Sequence, residues 1–95
     1  MRDDEFEWDD RKAARNMRLH GVSFQAARAV FDDVQIVQWH DDNQDPSEDR
    51  FVALGFAAGR VMFVSYTLRS ERIRIISARR AEPYERRMYT DGTGF

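Results

Sequence analysis

The chain has 95 residues, enough for one domain, and no cysteine, which excludes disulfides, zinc–thiolate sites and thiol catalysis. Charged residues make up 34% of it but the net charge is only −2, so a uniformly basic or acidic surface is excluded. No window is apolar enough for a membrane helix and the first residues lack a signal peptide's apolar segment, so we expect one cytoplasmic domain over residues 1–95 without membrane contact.

Two helices are predicted in the first third of the chain. Asp9-Asp10 offers an N-cap for a helix over about residues 10–19, and Gly21 ends this helix. Ser23 is the N-cap of the second helix, which carries apolar side chains at helical spacing on one face. Asp32-Asp33 closes the second helix, because two carboxylates at a helix C-terminus oppose its dipole.

Four strands and a third helix are predicted in the remainder. The strands cover about residues 34–39, 50–56, 60–68 and 71–79, an exposed acidic loop covers 40–49, and the helix covers 83–90. Connections as short as Ala57-Ala58-Gly59 and Arg69-Ser70 demand antiparallel hairpins. Phe6-Glu7-Trp8 is either a short edge strand or an ordered start, and Thr93-Gly94-Phe95 is expected to fray. The fold class is therefore α+β, with two N-terminal helices, a four-stranded antiparallel sheet and a C-terminal helix.

Charge is unevenly divided along the chain. Residues 1–49 carry 6 basic and 13 acidic side chains, a net charge of −7, and residues 50–95 carry 9 basic and 4 acidic side chains, a net charge of +5. All basic residues but Lys12 are arginine, which grips phosphate bidentately, although a GC-rich genome also favours arginine codons. The second half therefore suggests an anionic partner. We expect the acidic first half to lie away from it and to serve solubility or dimer contacts.

The arginines concentrate in the last predicted strand and the helix after it. Side chains of a strand alternate between its two faces, which groups Arg72, Arg74 and Ile76 on one face and Ile73, Ile75 and Ser77 on the other. The outward guanidinium groups would lie about 6.6 Å apart, a spacing suited to successive phosphates. Arg79 and Arg80 follow at the junction with the helix, and Arg86 and Arg87 lie on the helix itself.

An ordinary structural role for these arginines stays open beside a binding role. A solvated sheet face stabilised by ion pairs needs only nearby acids, and Glu71, Glu82 and Glu85 are available. Other candidate groups are few: His20 is either a helix cap or a proton-transfer group, and Glu48 either pairs with Arg50 or belongs to a site. No nucleophile triad, phosphate-binding glycine loop or metal-ligand cluster is visible.

RNA is the anionic substrate whose cleavage needs the fewest catalytic groups from such a chain. Its 2′-hydroxyl is a built-in nucleophile, so a protein needs only to position the phosphate, stabilise charge on its oxygens and exchange protons. DNA lacks that hydroxyl. Arginines with a glutamate, histidine or tyrosine would suffice for cleavage, and no cofactor is expected.

Six groups of residues together resemble one family of proteins. In chain order they are Phe6-Glu7-Trp8-Asp9; Lys12 with Asn16; His20-Gly21-Val22-Ser23-Phe24; Val30-Phe31-Asp32-Asp33; Arg72-Ile73-Arg74-Ile75-Ile76-Ser77-Ala78-Arg79-Arg80; and Glu85 with Tyr89. Their order and spacing are similar to those of the BrnT family of type II toxins, over about residues 5–89.

The resemblance implies a RelE-like ribonuclease fold and an RNA-cleaving toxin that blocks translation. It also implies a BrnA-type antitoxin, a DNA-binding protein that neutralises the toxin and represses their shared operon. A toxin homodimer within a heterotetramer is implied as well, with DNA contacted only through the antitoxin.

Matching positions supply the candidate site residues. The catalytic candidates are Arg79, Arg80, Glu48 and His20, and the substrate-binding candidates are Lys12, Arg50, Arg72 and Arg74. The expected roles are the scissile phosphate for Arg79 and Arg80, flanking phosphates for Arg50 and Arg72, and proton transfer for Glu48 or His20. Arg74 is alternatively a structural partner of an acid in the first helix. Leu19 departs from the family, which commonly has lysine before the His-Gly pair, and Arg18 is the nearest substitute.

A second class of function stays open beside the enzyme. The chain is alternatively a non-catalytic nucleic-acid or protein-binding module of a toxin–antitoxin complex, whose basic face holds an acidic antitoxin segment or docks nucleic acid. A purely structural subunit is a third class. Incubation of the purified chain with RNA and EDTA discriminates between the enzyme and the other two.

Overall fold

The computed structural model describes residues 1–42 and 47–92. Its elements are β1 (Phe6–Glu7), α1 (Asp10–His20), α2 (Phe24–Ala27), a 3₁₀ helix (Arg28–Asp32), β2 (Val37–Asp41), β3 (Arg50–Ala57), β4 (Arg60–Arg69), β5 (Arg72–Arg80) and α3 (Pro83–Asp91). Residues 43–46 of the predicted acidic loop and the predicted frayed end, residues 93–95, lie outside the described residues. Among the described helices, none is long and apolar enough to cross a membrane.

The strands form one mixed sheet in the order β1-β5-β4-β3-β2. The predicted antiparallel pairing is confirmed for β2 to β5. The predicted number of four strands is wrong, because β1 adds a fifth strand that runs parallel to β5. Of the two alternatives for Phe6-Glu7-Trp8, the short edge strand is therefore confirmed for Phe6–Glu7. A hydrogen bond of 2.8 Å from the N–H of Ile73 to the carbonyl oxygen of Glu5, the residue before β1, also joins the two segments.

The two long helices begin and end where their terminal residues predict. The side chain of Asp9 accepts hydrogen bonds from two N–H groups in the first turn of α1, and Gly21 ends that helix with a φ of 66°. Pro83 opens α3, and Gly92 ends it with a φ of 71°. Both glycines lie in the left-handed region, which glycine adopts most readily because it has no Cβ.

The second predicted helix changes its winding along its length. The Oγ of Ser23 caps α2 by accepting from the N–H of Ala26, and after one α-helical turn the chain continues as the 3₁₀ helix. Phe24 and Ala27 of α2 and Val30 of the 3₁₀ helix recur every three residues, and none of the three is exposed. All three side chains therefore stay on the core as the winding tightens.

Apolar side chains pack on both faces of the sheet. The larger cluster includes Trp8, Phe24, Val30, Met62 and Ile75 and lies beneath α2 and the 3₁₀ helix. The smaller cluster includes Val37, Leu54 and Ala81 and lies beneath α3. On the first side the approach is close, because a Cβ at Gly55 would lie 2.6 Å from the Cγ1 of Val30. β3 consequently has room only for glycine at this position.

β5 contains a β-bulge near its centre. Tyr66 pairs with Ile75 and the preceding residue of β4 pairs with Ser77, so Ile76 is an extra residue without a partner of its own. The predicted unbroken alternation is therefore wrong beyond Ile75. Ala78, rather than Ser77, is buried with Ile75 in the larger cluster.

The side chain of Asn16 takes the place of a neighbouring strand beside the bulge. Its Nδ2 donates to the carbonyl oxygens of Ala78 at 2.8 Å and Val22 at 2.9 Å, and its Oδ1 accepts from the N–H of Ala78 at 3.1 Å. β1 pairs only with Ile73 and Arg74, so it does not reach this part of β5. The amide thus satisfies buried backbone groups and fixes α1 along the edge of the sheet.

Candidate functional site

Four arginines lie on one face of the sheet, and the bulge in β5 is what adds Arg79 to them. Directly paired residues of neighbouring strands project to the same face. Arg72, Arg74 and Arg79 all pair with odd-numbered residues of β4, which point to the side that α3 covers. Arg50 projects to this side from β3. We call the side chains of Arg50, Arg72, Arg74 and Arg79 the arginine face.

Three transverse rows of side chains form the centre of this side of the sheet, and Arg72, paired with Arg69, lies beyond the first of them. The first row contains Asp41, Arg50, Thr67, Arg74 and Glu7; the second contains Trp39, Val52, Ser65 and Ser77; and the third contains Val37, Leu54, Phe63 and Arg79. α3 packs over the third row with Met88 and Tyr89. Among the described elements, none packs over the first row. Adjacent rows are about 6.6 Å apart, so about 13 Å separates the row of Arg74 from that of Arg79.

Arg79 is held in one orientation by three groups. Its Nη1 and Nη2 donate to Oε1 and Oε2 of Glu85 at 2.8 and 3.0 Å, and Nη1 also donates to the carbonyl oxygen of Arg80 at 3.0 Å. The guanidinium carbon lies 4.0 Å from the centroid of the Phe63 ring, a cation–π contact. The hydrogen bonds to Glu85 are the main cause that raises the pKa of Arg79, so this guanidinium is charged throughout the working range of pH.

Glu85, the partner of Arg79, is only 1% exposed. Its Oε1 also accepts from the N–H of Glu82 at 2.7 Å, and the hydroxyl of Tyr84 lies 3.3 Å from its Oε2. Burial alone would raise the pKa of Glu85, but the hydrogen bonds from Arg79 and from the N–H of Glu82 outweigh it and hold the pKa below its ordinary value. Such additional hydrogen bonds are what a buried ion pair needs to offset the loss of water.

The acidic N-terminal segment lies beside the opposite end of the arginine face. The Nη1 of Arg74 donates to Glu7 at 2.6 Å, and the Nε of Arg72 donates to the carbonyl oxygen of Asp3 at 2.7 Å. A backbone N–H in the first turn of α1 is the main cause that lowers the pKa of Asp9, and the charge of Arg74 adds to it. The expectation that the acidic half lies away from the basic face is therefore wrong here. The pairing of Arg74 with an acid of α1 is also wrong, because its partner belongs to β1.

A groove of about 210 Å³ separates α1 from the edge of β5. It is lined on α1 by Lys12, Arg15, Leu19 and His20, and on β5 by Ile76 and Ser77. Two sequence candidates, Lys12 and His20, thus lie in one groove rather than on the arginine face. Ser77 belongs both to this groove and to the second row, so the two surfaces adjoin. Leu19, the position at which the sequence departs from the family pattern described above, is 69% exposed at the groove.

The remaining two candidates lie outside both surfaces. Arg80 pairs with Met62 of the larger cluster, so it projects to the opposite side of the sheet from Arg79, and it is exposed there. Glu48 is half-buried and precedes Arg50 at the start of β3. In the described part of the chain, no three His, Asp or Glu side chains are grouped so that they could hold a metal ion.

Sequence reasoning missed the immediate surroundings of Arg79. Strict alternation along β5 would have placed Arg79 on the side of Ile73 and Ile75, away from Phe63, and only the bulge reverses this. Glu85 was foreseen as a nearby acid but not as a buried partner, because its contact joins the end of β5 to α3 across a turn. No local sequence signal reports the bulge itself.

A second contact fixes the far end of α3. The hydroxyl of Tyr89 donates to Oδ2 of Asp33 at 2.5 Å, and the same oxygen accepts from the N–H of Phe56 at 2.8 Å. The hydrogen bond to Asp33 raises the pKa of Tyr89 to about 12 and is the main cause that lowers the pKa of Asp33. α3 is therefore attached near its start through Glu85 and near its end through Tyr89.

A family model described as "Ribonuclease toxin, BrnT, of type II toxin-antitoxin system" matches residues 8–85. The matched span contains the whole arginine face, the α1 side of the groove and, as its last residue, the buried partner of Arg79. No curated protein matches the chain.

Proposed function

The chain belongs to the BrnT family of ribonuclease toxins of type II toxin–antitoxin systems, and from that premise we propose that it is an endoribonuclease that cleaves RNA and thereby blocks translation. Cleavage takes place in the cytoplasm, uses the 2′-hydroxyl of the RNA and requires no metal ion. The observation that carries this proposal is the arginine face, with half-buried guanidinium groups at both ends of one side of the sheet.

The arrangement of this surface suits a polyanion better than a single anion. The row of Arg50 and Arg74 lies about 13 Å from the row of Arg79, so a chain with several phosphates reaches both ends of the face. Ser65 and Ser77 lie between them and offer hydroxyl groups. The half-buried ring of Trp39 at the end of the same row offers a surface on which a base can stack, as single-stranded RNA requires.

The chemistry assigned to the site is an in-line transfer at phosphorus. A base takes the proton of the 2′-hydroxyl, its oxygen attacks the phosphorus, and an acid protonates the departing 5′-oxygen, which leaves a 2′,3′-cyclic phosphate. Arg79 stabilises the charge that develops on the phosphate oxygens, and because it is already fixed it needs no reorganisation in the transition state. We assign proton transfer to Glu48 or His20. Arg80 is not needed on this face.

The other substrate contacts follow from their positions. Arg50, Arg72 and Arg74 hold phosphates that flank the scissile one, and Lys12 extends the basic surface into the groove beside α1. Because Arg74 is already paired with Glu7, its contribution to RNA affinity is smaller than that of an unpaired arginine.

A type II toxin is inhibited by a protein antitoxin, and we assign a BrnA-type antitoxin to this chain. A toxin homodimer within a heterotetramer is the assembly proposed, with DNA bound only through the antitoxin and with a RelE-like toxin fold. An acidic antitoxin segment that covers the arginine face would exclude RNA from it, so the same charges support both the substrate and the inhibitor.

Purified chain free of antitoxin is incubated with total RNA in EDTA to test the activity. Wild type is expected to cleave the RNA, and Arg79→Ala is expected to lower the rate by about 10²- to 10³-fold, as the loss of a fixed charge-stabilising donor does. Arg87→Ala removes the same charge from an exposed position on α3 and should cleave at the wild-type rate. Glu48→Gln and His20→Gln identify which group transfers the proton.

Intact RNA in the presence of folded wild-type chain would contradict the metal-free nuclease. If that chain still binds RNA, the non-catalytic binding module is the better description. Cleavage that appears only after a divalent metal is added would contradict the proposed mechanism while leaving the ribonuclease activity of the family in place.

A further inference from the structure

One edge of the Arg79 guanidinium is occupied and the other is open. A guanidinium has five N–H donors: two on each of two edges that match a bidentate anion, and one more on Nη1. Glu85 takes the edge formed by Nη1 and Nη2, and the second Nη1 hydrogen goes to the carbonyl oxygen of Arg80. The other edge consists of the Nε–H and the remaining Nη2–H. Within residues 1–42 and 47–92, no acceptor takes either of these two donors.

The occupied edge is rigidly anchored. Glu85 is 1% exposed and is held by the N–H of Glu82 as well as by Arg79, so its carboxylate has little freedom to move. The ring of Phe63 supports one face of the guanidinium and restricts its rotation. α3, which carries Glu85, is attached again at its far end by Tyr89. The direction of the open edge is thus set before any ligand arrives.

We propose that Glu85 is a positioning residue, which holds the Nη1–Nη2 edge of Arg79 so that the Nε–Nη2 edge forms a preformed bidentate site for one RNA phosphate. The inference rests on the proposed function, because it assigns a phosphate to Arg79. A guanidinium bound by a carboxylate on one edge still presents two parallel donors on the other. Fixing the side chain beforehand reduces the conformational entropy lost on binding.

The opposite role for Glu85 makes a different prediction. If this carboxylate only neutralised Arg79, its removal would free a positive charge, and RNA binding and cleavage would both strengthen. If it positions Arg79, removing its charge loosens the guanidinium of Arg79 and weakens catalysis. Glu85→Gln separates the two roles, since it keeps the size of the side chain and one acceptor oxygen for Arg79 and for the N–H of Glu82.

The direct test observes the Nε–H of Arg79 by ¹H–¹⁵N NMR, with the signal assigned through its loss in Arg79→Lys. The probe is a uridine hexanucleotide with methylated 2′-hydroxyls, which lacks the nucleophile for metal-free cleavage. Saturating probe is expected to shift the Nε–H signal of the wild type, and to shift it less in Glu85→Gln. An Nε–H signal that does not move in the wild type, although other signals report bound probe, would overturn the inference.

A kinetic test uses the same variant with cleavable RNA. Glu85→Gln is expected to lower kcat by about tenfold with a smaller change in KM. A misdirected Arg79 guanidinium loses more stabilisation of the phosphate in the transition state than in the ground state. Asp91→Asn removes the same charge from an exposed position at the other end of the same helix, and it should leave kcat unchanged. Faster cleavage by Glu85→Gln would instead support neutralisation and sink the positioning role.

The two proposals can fail separately. If the wild type does not cleave RNA but its Nε–H signal moves with the probe, the phosphate site on Arg79 is supported and the ribonuclease activity is contradicted. If the wild type cleaves RNA while the Nε–H signal does not move, the ribonuclease activity is supported and the phosphate site on Arg79 is contradicted. The wild-type spectrum alone decides the second case, even if Glu85→Gln does not fold.

Discussion

Asn16 shows how much a single side chain can contribute to the position of the site. Its amide satisfies three backbone groups in two other segments, at Val22 and Ala78, and it is 5% exposed. Ala78 immediately precedes Arg79, so the same hydrogen bonds hold the backbone from which that arginine projects. A residue of α1 thereby fixes the end of β5 without approaching the substrate.

Asn16→Ala should destabilise the fold strongly. Two carbonyl oxygens and one N–H would lose their partners in a buried setting, which we expect to lower the free energy of unfolding by about 3 kcal/mol. Urea unfolding followed by circular dichroism measures it. Arg18→Ala, an exposed change on the same helix, should alter this free energy by no more than about 0.5 kcal/mol. Equal stability of the two variants would contradict the bridging role.

At the residue scale, the sequence predicts local features and misses those that depend on a distant partner. Asp9, Gly21 and Pro83 act within one turn of their own helices, so their roles follow from residue type and position. The choice of Arg79 over Arg80 for the arginine face depends on the register between β4 and β5. That register is set by the packing of the whole sheet, which a single strand's sequence does not report.

At the scale of elements, α3 is the part of the fold on which the site most depends. It carries the buried partner of Arg79, covers one end of the sheet face and is attached at both of its ends. Its limits were predicted from a proline and a glycine. Its docking was not, because Tyr89 reaches Asp33, which lies 56 residues earlier in the chain.

Tyr89→Phe should loosen the far end of α3. The lost hydrogen bond to a charged acceptor is partly solvated, so we expect the free energy of unfolding at neutral pH to fall by about 1 kcal/mol. Faster amide hydrogen exchange in the last turn of α3 would locate the effect. Thr90→Ala, an exposed change in the same turn, serves as the control and should change neither quantity appreciably.

The same hydrogen bond predicts a dependence on alkaline pH. The pKa of Tyr89 is raised from 10.0 to about 12 in the folded chain. Its contribution is therefore complete below the ordinary value of 10.0 and is lost as the pH rises toward 12. The difference in unfolding free energy between wild type and Tyr89→Phe should shrink over that window. A difference that stays constant would show that the phenol does not donate to Asp33.

The sheet illustrates the limits of prediction from sequence at the same scale. Two antiparallel pairings followed from the short connections, and both are present. The sequence left Phe6-Glu7-Trp8 open between an edge strand and an ordered start, and its parallel pairing with Ile73-Arg74 decides for the edge strand. The 3₁₀ helix was read as a continuation of α2, because residues three apart, such as Phe24, Ala27 and Val30, lie on one face in either kind of helix.

At the scale of the whole molecule, the net charge of −2 conceals a folded arrangement of opposite charges. The acidic beginning of the chain folds against β5, and Glu7 pairs with Arg74 at one end of the arginine face. The other end is paired with α3 through Glu85. RNA that binds this face must therefore compete with Glu7 for Arg74, whereas Glu85 occupies only one edge of Arg79.

Glu7→Gln should raise the affinity for RNA by releasing the charge of Arg74. Each additional phosphate neutralised on a single strand steepens the salt dependence of log K by about 0.7. Fluorescence anisotropy with the methylated uridine hexanucleotide at several salt concentrations measures this slope. Asp32→Asn makes the same change of charge at an exposed position on the 3₁₀ helix. A slope that is identical in the two variants would show that Arg74 does not contact phosphate.

The extra residue in β5 also bears on how this gene can change. Substitutions in the strand alter one side chain each, but the loss of a codon alters the pairing in a way that depends on its position. The in-frame loss of codon 76 would remove the bulge and leave Arg79 opposite Phe63, because Ser77 and the residues after it keep their partners in β4. The in-frame loss of codon 78 would instead move Arg79 to the other side of the sheet and bring Arg80 opposite Phe63. In this strand the effect of a single-codon deletion is thus set by whether it removes the bulged residue or a paired one.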